Sequence, residues 1–87
     1  MWTIQWDDRA VKELRNIDKQ SQLEILQYLE KRIMTDDDPR RFGKPLIGNK
    51  KGFWRYRVGN YRIICSIEDN IFNVLVVAVG HRKAIYD

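Results

Sequence analysis

Phe53-Trp54-Arg55-Tyr56-Arg57-Val58-Gly59-Asn60-Tyr61-Arg62-Ile63-Ile64-Cys65-Ser66-Ile67 reads as an antiparallel hairpin. Gly59-Asn60 has the composition of a two-residue turn, with β-branched and aromatic residues alternating on both sides of it. Such a turn sets Val58 opposite Tyr61, Arg57 opposite Arg62, Tyr56 opposite Ile63, Arg55 opposite Ile64 and Trp54 opposite Cys65. The side-chain period of two then sorts the faces. Trp54, Tyr56, Val58, Tyr61, Ile63 and Cys65 form a core face; Phe53, Arg55, Arg57, Arg62, Ile64 and Ser66 point the other way. Three arginines thus share one face, two of them directly opposed, and like charges in a cross-strand pair cost about 0.2–1 kcal/mol. An anion is the expected partner of this face. The bland alternative is a carboxylate or water for each arginine.

Downstream, residues 71–80 form a further strand, apolar on both faces apart from Asn73, as a central strand should be. Its six-residue run at 74–79 is the longest apolar stretch of the chain, far below the roughly 20 residues of a membrane span. Upstream, residues 40–52 hold three of the five glycines and one of the two prolines and read as a long basic loop. Before it, Leu23, Leu26, Leu29 and Ile33, widened by Ile25 and Tyr28, set out an amphipathic helix that Pro39 and the acidic residues 36–38 bring to an end. Ala10, Val11, Leu14 and Ile17 set out a shorter helix behind an N-cap at Asp7 or Asp8, and Asp18 or the residues beside it break the run between the two. Trp2, Ile4 and Trp6 alternate on a first strand. The order β-α-α-β-β-β predicts an α+β fold: a helical hairpin packed on one face of a small, mostly antiparallel sheet.

Eighty-seven residues make a single domain, 1–87, with a thin core. The N-terminal residues lack the basic and apolar regions of a secretory signal, and one cysteine, Cys65, permits no internal disulfide. A reducing, cytoplasmic location is the expectation. Net charge is +4, but it is unevenly spread: residues 1–41 carry eight basic and nine acidic side chains, residues 42–87 eight basic and three acidic. The basic half points to an anionic partner, most plausibly nucleic acid. Neither the lone His81, nor Cys65, nor the acidic residues 36–38 have the spacing of a metal site, and no cofactor is expected.

Asp7-Asp8-Arg9-Ala10-Val11-Lys12-Glu13-Leu14, Trp54-Arg55-Tyr56-Arg57-Val58-Gly59-Asn60-Tyr61-Arg62-Ile63-Ile64 and Val79-Gly80-His81-Arg82-Lys83-Ala84-Ile85-Tyr86 together resemble the RelE/ParE superfamily of prokaryotic toxins. The resemblance covers nearly the whole chain. It implies the RelE-like microbial ribonuclease fold and a ribosome-dependent endoribonuclease that cuts messenger RNA by 2′-hydroxyl attack. It also implies two partners, the ribosome with its message and a cognate acidic antitoxin protein that holds the toxin inactive.

Carried over by position, Arg55, Arg57 and Arg62 meet the scissile phosphate, Arg82 is the basic residue after the glycine, and Tyr86 stacks on a base. Relatives tend to carry lysines where Arg55 and Arg57 stand. Arginine stays protonated and is a poor general base, so His81 is the candidate for proton transfer. Lys44, Lys50, Lys51, Phe53 and Lys83 are further RNA contacts. The competing expectations are a ParE-like inhibitor of DNA gyrase without nuclease activity, and a non-catalytic RNA-binding domain.

Overall fold

A computed structural model describes residues 1–82. Strand β1 (Thr3–Trp6) leads into helix α1 (Asp8–Arg15), and helix α2 (Lys19–Tyr28) follows, extended by a π-helical turn over Leu29–Ile33. Three more strands were expected and four are found: β2 (Lys44–Pro45), β3 (Phe53–Val58), β4 (Tyr61–Glu68) and β5 (Asn73–His81). The sheet order is β1-β5-β4-β3-β2, with β1 parallel to β5 and the remaining pairs antiparallel. β5 is therefore central, in keeping with its apolar faces.

The β3–β4 register is the one that the two-residue turn requires, from Val58 opposite Tyr61 to Trp54 opposite Cys65. Gly59 sits at φ 58°, the left-handed value that such a turn asks of its first residue. Tyr56, Ile63 and Cys65 are fully buried beneath the helices with Ala10, Ile25, Leu29, Ile33, Val74, Val76 and Val79. Trp54 departs from expectation: it is half-buried, and the Arg40 guanidinium lies 5.7 Å from its ring centroid.

Residues 40–52 are not one loop. A 3₁₀ turn over Pro39–Phe42 leads into β2, which pairs with β3 through Lys44 opposite Arg55 and Pro45 opposite Trp54. Gly43 permits this approach, because a Cβ there would stand 3.0 Å from the Tyr56 ring and 3.2 Å from the Arg55 carbonyl oxygen. A second 3₁₀ turn spans Gly48–Lys50, and Leu46 between them is buried. Two residues of strand flanked by proline, glycine and lysine carry too little alternation to be read from sequence.

The phase of α2 also differs from the leucine count. Asp18 caps the helix by accepting from the Ser21 N–H at 2.9 Å, and the Gln22 side-chain amide donates to the Ile17 carbonyl at 2.8 Å. So held, the helix turns Ile25, Tyr28, Leu29 and Ile33 inward and leaves Leu23 and Leu26 exposed. Leucines all around the helix make its periodicity ambiguous, and the packing of Ile25, Leu29 and Ile33 against the sheet resolves it. The last strand begins two residues later than expected: a 3₁₀ turn over Asp69–Ile71 and a left-handed Phe72 at φ 50° precede it. No helix among the described residues is long and apolar enough to cross a membrane.

A buried hydrogen bond ties β3 to the first 3₁₀ turn: the Tyr56 hydroxyl donates to the Pro39 carbonyl at 2.7 Å. Tyr56→Phe should lower stability by about 1–2 kcal/mol, read as a lower denaturant midpoint with unchanged slope. Asp18 and Asp69 are held below the ordinary carboxyl value of 3.8, the first by its hydrogen bond to Ser21, the second by its hydrogen bond to Arg40. Lowered folded-state values mean that their contribution is complete above about pH 4 and fades as acid titrates them through those lowered values. Urea titrations from pH 7 to pH 2 should show that loss in the wild type and a shallower acid limb in Asp69→Asn.

Candidate nucleic-acid interface

Alternation along β3 and β4 carries Arg55, Arg57 and Arg62 to the face away from the helices, since Tyr56 and Ile63 between them are wholly in the core. Arg57 and Arg62 stand directly opposite each other. β2 adds Lys44, the cross-strand partner of Arg55. Four cationic residues thus share one side of adjoining strands. Arg57 is exposed; Arg55 and Arg62 are half-buried.

Their proximity is felt electrostatically. The Arg55 guanidinium is shifted below its ordinary value, first by burial and then by the positive charges of Arg62 and Arg57. It remains a cation at neutral pH. Arg40 is the contrast. It donates to the two oxygens of Asp69 at 3.0 and 2.6 Å and also to Asp38, and its guanidinium is shifted upward, mainly by the Asp69 hydrogen bond. Asp37 pairs with Arg41 at 2.8 Å and Asp36 with the N-terminal amine at 3.1 Å. The acidic turn therefore spends its charge on other cations.

The end of β5 is set by a β-bulge. Ile64 pairs with Ala78 but Cys65 with Val76, so Val77 is an extra residue in the ladder. Before the bulge Val74 and Val76 are the core residues; after it Val79 is. Val77 and Ala78 consequently line the same side of the sheet, that of Ile64 and Phe53. The bulge is tied to α1, because the Val79 N–H donates to the Glu13 carboxylate at 2.9 Å and Glu13 also receives Arg9 at 3.4 Å.

This shift decides where His81 lies. Had the alternation of Val74 and Val76 continued, His81 would have joined the arginines. Instead it pairs with Tyr61, and the two rings meet edge to face at 5.6 Å on the helix side. The structure therefore separates His81 from Arg55, Arg57 and Arg62. Arg82 is tied to the β3–β4 turn by its N–H, which donates to the Asn60 carbonyl at 2.8 Å. The Lys83 and Tyr86 assignments lie outside the described residues.

Phe53 and Lys50 border a groove on the arginine side, whereas Lys51 is simply exposed. The groove also brings in Arg9 and Leu46, which sequence reading missed. Arg9 is far from the hairpin in sequence, and Leu46 lay in a segment read as loop. Among the described residues no three His, Cys, Asp or Glu side chains come together as metal ligands. Cys65 is fully buried and its thiol is pushed up by that burial, which suits a core residue.

The geometry has counterparts. In sequence, the toxin RelE of Mycobacterium tuberculosis is 34% identical over 50 residues, 58% of this chain and 52% of that protein. The toxin RelG of the same organism is 39% identical over 49 residues, 56% of each. The matches thus span about half the length of these curated relatives. Among solved structures, a chain of the RelBE2 toxin–antitoxin complex of M. tuberculosis superposes with a TM-score of 0.80 at 25% identity, covering 93% of this chain and 98% of that one. The isolated RelE toxin of Escherichia coli gives 0.72 at 19% identity, with 93% and 84% covered, a likeness of fold. Residues 4–86 match the family described as the ParE toxin of type II toxin–antitoxin systems, parDE. With the arginine-faced sheet, the paired helices and this match over nearly its whole length, the chain belongs to the ParE toxin family of type II toxin–antitoxin systems, with a RelE-like fold.

Proposed function

We propose that this toxin is a ribosome-dependent messenger-RNA endoribonuclease whose arginine face receives the scissile phosphate. The carrying observation is the convergence of Arg55, Arg57 and Arg62, with Lys44, on one side of the sheet, close enough for Arg62 and Arg57 to depress Arg55. Guanidiniums gathered on one side of a sheet offer donors matched to two phosphate oxygens at once.

Cleavage by the neighbouring 2′-hydroxyl forms a new bond from its oxygen to phosphorus and breaks the bond to the 5′-oxygen. One proton must leave the 2′-hydroxyl and one must reach the 5′-oxygen. The intermediate phosphorane carries more negative charge than the ground state, and preorganised guanidiniums matched to two oxygens at once stabilise it preferentially. The arginines and Arg82 supply this electrostatic part, and Tyr86 and Lys83 are assigned to base stacking and phosphate contact. Proton transfer belongs to none of the arginines. His81 is the chain's one imidazole, and it stands beside Tyr61 at the strand end rather than on the arginine face.

A domain this small cannot enclose an RNA strand, so alignment of the 2′-oxygen falls to the ribosome. Structural neighbours are toxin–antitoxin complexes, which supports an antitoxin partner here. We assign it an acidic, partly disordered chain that covers the arginine face. The family description, naming ParE, favours a second reading: gyrase inhibition without RNA chemistry. The arginine cluster favours the first, since a protein-binding inhibitor has no chemical need of it.

Mapping 5′ ends of messages incubated with purified toxin, with and without translating ribosomes, separates the two. Cuts should appear only with ribosomes, and Arg55→Ala or Arg62→Ala should slow them by on the order of 10²-fold. Inhibition of supercoiling at stoichiometric toxin, with no cuts, would replace the nuclease reading. For single-stranded RNA binding, each arginine removed should lower the slope of log affinity against log salt by about 0.7.

A further inference from the structure

The groove beside the arginines has a composition unlike theirs. It measures about 380 Å³; Ile64, Val77 and Ala78 line it with Phe53, and Asp7 and Arg9 border it from the α1 side. Its apolar surface exists because the bulge turns two successive β5 residues, Val77 and Ala78, to the same side. It also adjoins the arginine cluster: Ile64 is the cross-strand partner of both Arg55 and Ala78, one ladder step of about 5 Å from each.

A phosphate does not suit this place, because Asp7 and Glu13 bring carboxylates to it. A planar, largely apolar group with N–H donors on its edge does. Asp7 supplies a second pointer. It occupies the N-cap position of α1, where an aspartate ordinarily accepts a backbone N–H of the first turn, yet its side chain makes no capping bond and borders the groove instead. Its acceptor oxygens remain available. Arg9 and Lys50, also at the groove, add positive charge suited to a polyanionic strand.

We propose that this groove seats one unstacked nucleobase of the strand whose phosphate lies on the arginines, and that Asp7 accepts a hydrogen bond from the base's exocyclic amino group. The inference rests on the RNA-binding part of the function above, not on cleavage. It gives the toxin a base preference of its own. Cytosine, whose amino group donates to a carboxylate, is accepted; uracil, which presents a carbonyl oxygen at the same position, is disfavoured.

The test measures binding of six-nucleotide oligocytidylate, oligouridylate and an abasic sugar–phosphate strand by fluorescence anisotropy at fixed salt. The full chain should bind cytidylate roughly tenfold more tightly than uridylate, and uridylate more tightly than the abasic strand. Asp7→Asn keeps an N-cap residue, so the helix should persist, and should close the gap between cytidylate and uridylate. Ala78→Leu, which fills the groove, should bring both down to the abasic level, with circular dichroism confirming that it folds. Equal binding of all three strands by the wild type, or a cytidylate–uridylate gap that survives Asp7→Asn, would overturn the proposal. The phosphate reading is tested separately in the same assay: if Arg57→Ala leaves affinity for the abasic strand unchanged, that reading fails, whatever the bases show.

Discussion

A two-residue hairpin turn leaves its strands no freedom of register, and the function proposed for this toxin hangs on that. Slipping β3 against β4 by one residue would turn Tyr56 out of the core and bring its neighbours Arg55 and Arg57 in, burying charge where apolar contact is needed. The penalty runs to several kcal/mol per ion, far beyond the cross-strand repulsion of Arg57 and Arg62 on the other face. Gly59, at a φ that other residues adopt reluctantly, therefore stabilises one arrangement and with it the juxtaposition of the arginines. Core packing and the cationic face are two sides of one constraint.

The bulge at Val77 is the second determinant. It lets β5 serve two neighbours whose demands differ: β1 and the helices require Val74, Val76 and Val79 inward, while the outer side receives the apolar pair Val77 and Ala78. Glu13 of α1 accepts the Val79 N–H just past the disruption, so a helix side chain satisfies a donor at an edge where β1 no longer pairs. The same local irregularity builds the groove floor, turns His81 away from the arginines and orients the strand end that Arg82 ties to the hairpin turn.

Under the function proposed above, these features would divide the labour of RNA recognition. Guanidiniums are suited to phosphate and indifferent to base identity, whereas an apolar slot with a single free carboxylate discriminates among base edges. The acidic turn and Asp69 are engaged with Arg40, Arg41 and the N-terminal amine. The acidic antitoxin proposed above would meet that face on the same electrostatic terms as the proposed RNA.

Local rules were enough for much of this. Composition of the Gly59-Asn60 turn and strict alternation made the β3–β4 register, the two faces and the arginine cluster readable from residues adjacent in the chain. The order of helices and strands followed from the same periodicities. The short β2, the inward phase of α2 and the position of His81 were not readable, because each is settled by a contact between distant residues: Lys44 with Arg55, the inward packing of Ile25 and Leu29, and the added residue in β5 opposite Ile64 and Cys65. Arg9 and Leu46 reach the arginine side for the same reason, since a groove between a helix and a distant loop has no signature in either segment alone. Alternation tells which residues share a face until a bulge changes its parity, and a bulge forms where neighbouring strands and helices compete for one strand's two sides, a competition that exists only in three dimensions.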